Sequence, residues 1–342
     1  MPPEPGPIFV GGTGRSGTTL VARLIAADER FALVPVELQL HAAPGGLADA
    51  LAGRVSFAWL LPRLRGHWYA RPAPGGGKRG LEGVCPRPRY DALVDALEAE
   101  WDAGPAAAAA RFVEEVAGVS SPWVEMTPYN LRAAPGLAAM FPGARFVHAT
   151  RSGLDTAASY REHGWAPDDV FDCLLWWADR LAEAARGAAA VAGRVEVVDL
   201  ADLADDHDEV LARLAALLGA VGTDPVKRVG TDPGEVAVRW RAWAAAEIAP
   251  RRAAVGRWRE RVPTADHARL VALYRRVVQR LERAGVAAPR DDLAAGELRS
   301  GLATRAWVTW RVVRWRAVAH RRWSWRRARW REPVARLLGR RR

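Results

Sequence analysis

A chain of 342 residues, half of them apolar, has enough core for one large α/β unit with insertions or a tail and is short for three domains. Two cysteines, Cys85 and Cys173, exclude a disulfide framework and a C-x-x-C metal or redox pair, and no uncharged run approaches the ~18 residues of a transmembrane helix. The formal charge of +11 is concentrated at the end: residues 301–342 hold 14 Arg against the single acid Glu332, whereas residues 1–300 hold 36 basic and 38 acidic residues. The body is therefore not a basic nucleic-acid surface, and an anionic partner would belong to the tail.

The opening "MPPEPGP" places no basic stretch ahead of an apolar one, which predicts a soluble, cytoplasmic chain. Ile8–Val10 reads as a buried strand running into "GGTGRSGTTLV" (Gly11–Val21), and Leu20, Leu24 and Ala27 recur at helical spacing over Thr19–Ala27. Strand, glycine loop and helix are the context of a phosphate-binding loop. Gly12, Gly14 and Gly17 satisfy the dinucleotide spacing G-x-G-x-x-G, and Gly12 with Gly17 satisfies the G-x-x-x-x-G of a nucleotide triphosphatase. In the latter the second glycine precedes Lys; here Thr18 stands in that place, and the cation sits inside the loop as Arg15, beside Ser16 and ahead of Thr18 and Thr19. Such a loop offers an anion backbone N–H groups, a helix N-terminus, hydroxyls and one guanidinium.

"FALVPVE" (Phe31–Glu37) reads as a second strand that Pro35 confines to an edge or ends. Over about 42–122, Gly/Pro-rich pieces separate a helix near Leu51–Leu64 from helices at Tyr90–Trp101 and Pro105–Val116, the pattern of an inserted helical lid. Order resumes with "WVEMTPYN" (Trp123–Asn130), a helix near Ala134–Met140 and the strand "ARFVHATR" (Ala144–Arg151). A helix over Leu154–His163, a strand "RVEVVDL" (Arg194–Leu200) and helices at Leu211–Leu218 and Ala265–Ala284 follow. The alternation predicts an α/β fold: a mainly parallel sheet with helices on both faces and ligands at the carboxyl ends of the strands. The predicted organisation is one domain over 1–300 and an Arg/Trp-rich tail over 301–342.

Arg151 ends the "RFVHAT" strand, and Ser159 follows eight residues later within the next helix, roughly one and a half turns in at 3.6 residues per turn. With Arg15–Thr19 this makes a second anion-binding pair, and at this point the sequence resembles the sulfotransferase family. The family's [K/R]-x-G-T-[T/S] loop stands here as Arg15-Ser16-Gly17-Thr18-Thr19, and its Arg followed eight residues later by Ser stands as Arg151 and Ser159. "EMTPYN" (Glu125–Asn130) is similar to the family's E-K-T-P-x-N segment with Met126 in place of Lys, and "VGRWRE" (Val255–Glu260) to its late "GRWR" segment. The similarity in order and spacing spans about Ile8–Val286.

The resemblance implies a P-loop-like core and sulfuryl transfer from 3′-phosphoadenosine-5′-phosphosulfate to a hydroxyl or amine acceptor, with no metal required. It implies that Gly14, Arg15, Ser16, Gly17, Thr18 and Thr19 cradle the 5′-phosphosulfate and that Arg151 and Ser159 hold the 3′-phosphate. Arg257, within "GRWR", reads either as a further nucleotide contact or as a surface arginine. The acceptor needs a base: Glu37 follows the second strand and so is expected on the same sheet edge as Arg15, and His41 is the reserve candidate. Two other readings stay open. Glu37 also stands where a ribose-binding acid of an NAD- or FAD-binding enzyme would stand, and a non-catalytic nucleotide- or anionic-surface-binding adaptor could keep the same loop. Asp155, near a helix start, reads as a helix-dipole partner. In the tail, Trp with Arg suggests an anionic membrane surface, and hence a peripheral location; a docked helix, an oligomer contact and a disordered end are the alternatives. Trp307, Trp310, Val313 and Ala317 share one side of a helix there, with Trp315 and Trp323 elsewhere.

Overall fold

A computed structural model describes residues 6–28, 30–68, 71–72, 78–119, 122–163, 165–205, 207–219, 255–291, 293 and 302–322. The chain divides into two compact units, 1–152 with 180–255 and 153–179 with 256–342.

The first unit holds strands β1 (Ile8–Gly12), β2 (Ala32–Leu33), β5 (Trp123–Glu125), β6 (Arg145–Thr150) and β7 (Val195–Asp199), and a short antiparallel pair, β3 (Arg71–Pro72) and β4 (Lys78–Arg79). The main sheet is parallel with the order β2-β5-β1-β6-β7, which puts β2 at the edge where Pro35 requires it. The central strands are apolar on both sides because both faces are covered. Ile8, Val10, Val124, Val147 and Ala149 belong to an apolar cluster with α1 (Thr18–Ile25), α9 (Leu200–Asp205) and α10 (His207–Gly219). Phe9, Trp123 and Phe146 belong to the other, where Trp123 meets the Phe9 ring edge-on at 5.4 Å.

The expected lid is instead the layer that covers this second face. The helix expected over Leu51–Leu64 is two, α2 (Leu47–Leu51) and α3 (Phe57–His67): Gly53 turns left-handed at φ +66°, and the Ser56 hydroxyl accepts from the Trp59 N–H to start a new helix. Leu60, Leu64, Tyr90, Val94, Leu97, Phe112 and Val116, from α3, α4 (Arg87–Glu100) and α5 (Pro105–Ala117), lie in the same cluster as Phe9. Asp49 of α2 ties this layer to α6 (Asn130–Met140): its buried carboxylate accepts from Arg132 at 2.8 and 3.0 Å and from Arg54 at 2.7 Å.

The second unit contains α7 (Gly153–Arg161), the part of α8 (Val170–Ala189) up to Asp179, α11 (Trp258–Arg261), α12 (Thr264–Arg283) and α13 (Leu302–Arg322). Tyr160, Trp177, Trp258 and Tyr274 are fully buried in it. Asp155 is more than a helix-dipole partner. It is buried, and its two carboxylate oxygens accept from the Gly256 and Trp258 N–H groups, each at 2.9 Å, so that it pins the "GRWR" segment.

Residues 302–322, expected in a tail, form a helix of this unit. Val308, Arg311 and Trp315 are buried. Arg311 pairs with Asp169 at 2.6 Å and Asp172 at 2.9 Å, and the Trp315 indole N–H donates to Asp179 at 2.9 Å. Trp323 and the rest of the tail lie outside the described residues. Among the described residues no helix is long and apolar enough to cross a membrane.

Candidate functional site

Parallel strands send the loops after β1, β2, β5 and β6 to one edge of the sheet. The loop after β1 carries most of the predicted site. Gly12 ends the strand opposite Ala149 of β6, where a Cβ would run into the Ala149 carbonyl and the Ser16 hydroxyl. Gly14 and Arg15 follow with left-handed backbone, φ +80° and +55°, and Gly17 at φ +91° is the N-cap of α1. For arginine this conformation is uncommon.

Among the described residues no side chain caps α1, and its first turn holds no acid, so its leading N–H groups give the loop the positive end of a helix. Ser16 is 1% exposed, and its hydroxyl has no hydrogen-bond partner among the described residues. Thr18 is buried, while Arg15 and Thr19 are exposed. A buried hydroxyl and the first amides of a helix beside a guanidinium fit a phosphate or sulfate oxygen.

Glu37 lies four residues beyond β2, half-buried, its carboxylate accepting from the Gln39 amide at 3.2 Å. Burial and the neighbouring Glu125 charge push this carboxyl above the ordinary glutamate range, against the opposite pull of the Gln39 amide and the Arg180 and Arg15 guanidiniums. Arg15 and Glu37 thus act on each other electrostatically.

What holds Glu37 in place is a polar cluster that the sequence flagged only as a soft similarity. Glu125, Thr127, Asn130 and His41 are all fully buried. Glu125 accepts from the Leu38 N–H at 3.1 Å, the Thr127 N–H at 2.9 Å and hydroxyl at 2.6 Å, the Asn130 amide at 2.6 Å and His41 Nε2 at 3.1 Å. His41 Nε2 also meets Asn130 Oδ1 at 2.9 Å; two acceptors on one ring nitrogen place the proton there. The Thr127 hydroxyl accepts from the Gln39 N–H at 3.1 Å, and Gln39 is held at φ +58°.

Burial pushes the Glu125 carboxyl up, and His41, Thr127 and Asn130 more than offset it, so the net direction is down and Glu125 is ionised. Glu125→Ala is therefore expected to destabilise the fold by about 3–5 kcal/mol, because it removes the buried carboxylate on which the Leu38 and Thr127 N–H groups, the Thr127 hydroxyl, the Asn130 amide and His41 converge. Urea denaturation checks it, and a loss below about 1 kcal/mol would mean that the donors find other acceptors.

His41, the reserve base, has no exposed surface and serves this cluster. Met126, which replaces the family's lysine, is buried in the apolar cluster that includes α1, where desolvation would penalise a cation. Arg151 directly follows β6, the strand next to β1, and is partly exposed. Arg15, Glu37 and Arg151 thus share the first unit, whereas Ser159 and Arg257 belong to the second. Ser159 is buried within α7; Arg257 is exposed and pairs with Glu260 at 3.5 Å.

Sequence reasoning misses Arg180 of α8, whose guanidinium lies over the Tyr129 ring at 4.0 Å and whose charge reaches Glu37. Only its place on an apolar-periodic helix signals it. Among the described residues no group of three or more His, Cys, Asp and Glu side chains is arranged to hold a metal. The dinucleotide reading needs the strand that carries the ribose-binding acid beside β1. Here β5 stands between β2 and β1, which removes Glu37 from that role.

A model described as "Sulfotransferase family" matches residues 7–224. Among solved structures, the sulfotransferase domain from the curacin biosynthetic pathway is 15% identical, covering 82% of this chain and 98% of that one, with a TM-score of 0.48. A sulfotransferase from Mycobacterium avium is 15% identical over 84% and 79%, with a TM-score of 0.46. The sulfotransferase domain of the Synechococcus PCC 7002 olefin synthase is 20% identical over 70% and 89%, with a TM-score of 0.39. No curated protein matches the chain significantly.

Proposed function

The chain belongs to the sulfotransferase family, and from that premise we propose that it moves a sulfuryl group from 3′-phosphoadenosine-5′-phosphosulfate to a hydroxyl or amine acceptor by in-line attack. The observation that carries this reading is the Gly14–Thr19 loop: a helix start without a side-chain cap and a buried Ser16 hydroxyl without a partner among the described residues, and Arg15 turned left-handed at the surface. A phosphosulfate oxygen would accept from the Ser16 hydroxyl and from the leading amides of α1.

In this reading Arg15 and the α1 amides stabilise charge on the sulfonate and on the departing 5′-phosphate oxygen. Glu37 takes the acceptor proton as the acceptor atom bonds to sulfur; the bond from sulfur to the 5′-phosphate oxygen breaks, and adenosine 3′,5′-bisphosphate leaves. The raised Glu37 carboxyl, half-buried and within reach of the Arg15 charge, supports that role. Arg151 holds the 3′-phosphate, and Ser159 and Arg257 keep the nucleotide roles that their motifs assign.

Calorimetry with adenosine 3′,5′-bisphosphate tests the donor assignment. Arg151→Ala is expected to weaken binding more than about tenfold, equivalent to about 1.4 kcal/mol, with NAD giving no heat. Absence of binding to the wild type, or a preference for NAD, would overturn the reading.

A further inference from the structure

The proposed sulfuryl transfer assigns no role to the outward face of α13. At about 100° per residue, Leu302, Ala306, Trp310, Val313 and Ala317 fall in one stripe, on the far side of the helix from Val308, Arg311 and Trp315. Leu302, Val313 and Trp310 are 84%, 60% and 54% exposed, the three most exposed large apolar side chains among the described residues. Arg305 and Arg316 border the stripe on one side and Arg314 on the other, all exposed, with the Arg314 guanidinium over the Trp310 ring at 5.5 Å. Residues 302–322 contain six arginines and no acid.

We propose that this face of α13 binds an anionic lipid surface: the stripe enters the boundary between headgroups and acyl chains, and the bordering arginines meet the lipid phosphates. The inward contacts fix the helix's rotation. Arg311 on Asp169 and Asp172, and Trp315 on Asp179, hold Val308 and Trp315 inside, which leaves the stripe outside in a helix already formed.

A second copy of the chain is a poorer occupant, because a symmetric contact would set arginine against arginine with no acid on the helix to relieve it. A soluble polyanion would satisfy the arginines and leave Leu302, Trp310 and Val313 in water. Acyl chains and lipid phosphates answer both halves of the pattern. Residues 323–342 add eight arginines, four of them flanking or near Trp325 and Trp330, against Glu332, so the sequence beyond the helix carries the same sign of charge.

The test is co-sedimentation of the full-length protein with phosphatidylcholine vesicles, neutral or carrying about 30 mol% phosphatidylglycerol. The wild type is expected to pellet with the anionic vesicles and stay in solution with the neutral ones. Val313→Asp and Trp310→Ala, both at exposed positions, are expected to lower the bound fraction at least about fivefold without changing the thermal melt or the binding of adenosine 3′,5′-bisphosphate. Those controls separate a failure here from a failure of the sulfotransfer reading. Failure of the wild type to pellet, or pelleting of both variants like the wild type, would overturn the proposal. So would retention on heparin with no vesicle binding, which would assign the face to a polyanion.

Discussion

Glu37→Gln is expected to lower turnover about 10²–10⁴-fold, the range for loss of a general base, while adenosine 3′,5′-bisphosphate binds as before and the melting temperature at pH 7 rises. The glutamine keeps the shape of the side chain and its contact with Gln39. The rise in stability follows from linkage. The Glu37 carboxyl is raised in the folded state, chiefly by burial and then by Glu125. Its favourable contribution is therefore present below the ordinary glutamate pKa and is lost as pH rises through the folded value, so at neutral pH the carboxylate costs stability that the amide does not. For the same reason wild-type turnover should fall as acid protonates Glu37, at a higher pH than an ordinary glutamate would give. Single-turnover rates across pH, with melting curves on both proteins, check this. Loss of donor affinity in step with turnover would instead make Glu37 a support for the loop.

Arg15 should show the next largest effect: its removal is expected to lower kcat about 10²–10³-fold, the range for deleting one preorganised donor to developing charge. Glycine is the cleaner substitution. Arg15 sits at φ +55°, so Arg15→Gly removes the guanidinium without strain, whereas Arg15→Ala keeps a side chain in a left-handed backbone. Both variants should lose turnover alike. Activity in Arg15→Gly but not in Arg15→Ala would show that backbone shape, and not charge, is what the loop requires. A second readout distinguishes the two. Arg15 pulls the Glu37 carboxyl down, so its loss should move the acid limb of any residual activity to higher pH.

Much of the sheet is legible in the residues themselves. Ile8–Val10 opens β1, which runs on to Gly12, and Ala144–Arg151 and Arg194–Leu200 each contain a strand. Pro35 correctly confines β2 to an edge. Helix α8 is within reach of the same kind of argument. Its stretch Val170–Ala189 repeats apolar residues at Val170, Cys173, Leu174, Trp177, Leu181 and Ala184, and Arg180 comes with it.

The role of "EMTPYN" is not within reach. Glu125, Thr127 and Asn130 serve the backbone of 38–39 through bonds that span nearly ninety residues of sequence, and no local pattern encodes such pairing. In α13 the apolar residues lie on two opposite sides, one against Asp179 and one outward. A search for one stripe therefore groups Trp310, Val313 and Ala317, which share the outward side, with Trp307, and leaves out Trp315, the most deeply buried of the helix's tryptophans.

The order of strands bears on how the protein is made. The ribosome delivers β1 ahead of the other strands, but the partners of Ile8 are Val124 and Arg145, and helices α2 to α5, which cover the Phe9 side, lie between β1 and Val124 in sequence. The middle of the sheet must wait, with its apolar surface open, until both neighbours have emerged. Such delayed pairing makes a chain slow to fold and exposed to aggregation while it is incomplete. A nascent or truncated chain ending before β5 would carry the whole Arg15 loop in its sequence and have nothing to hold that loop in shape.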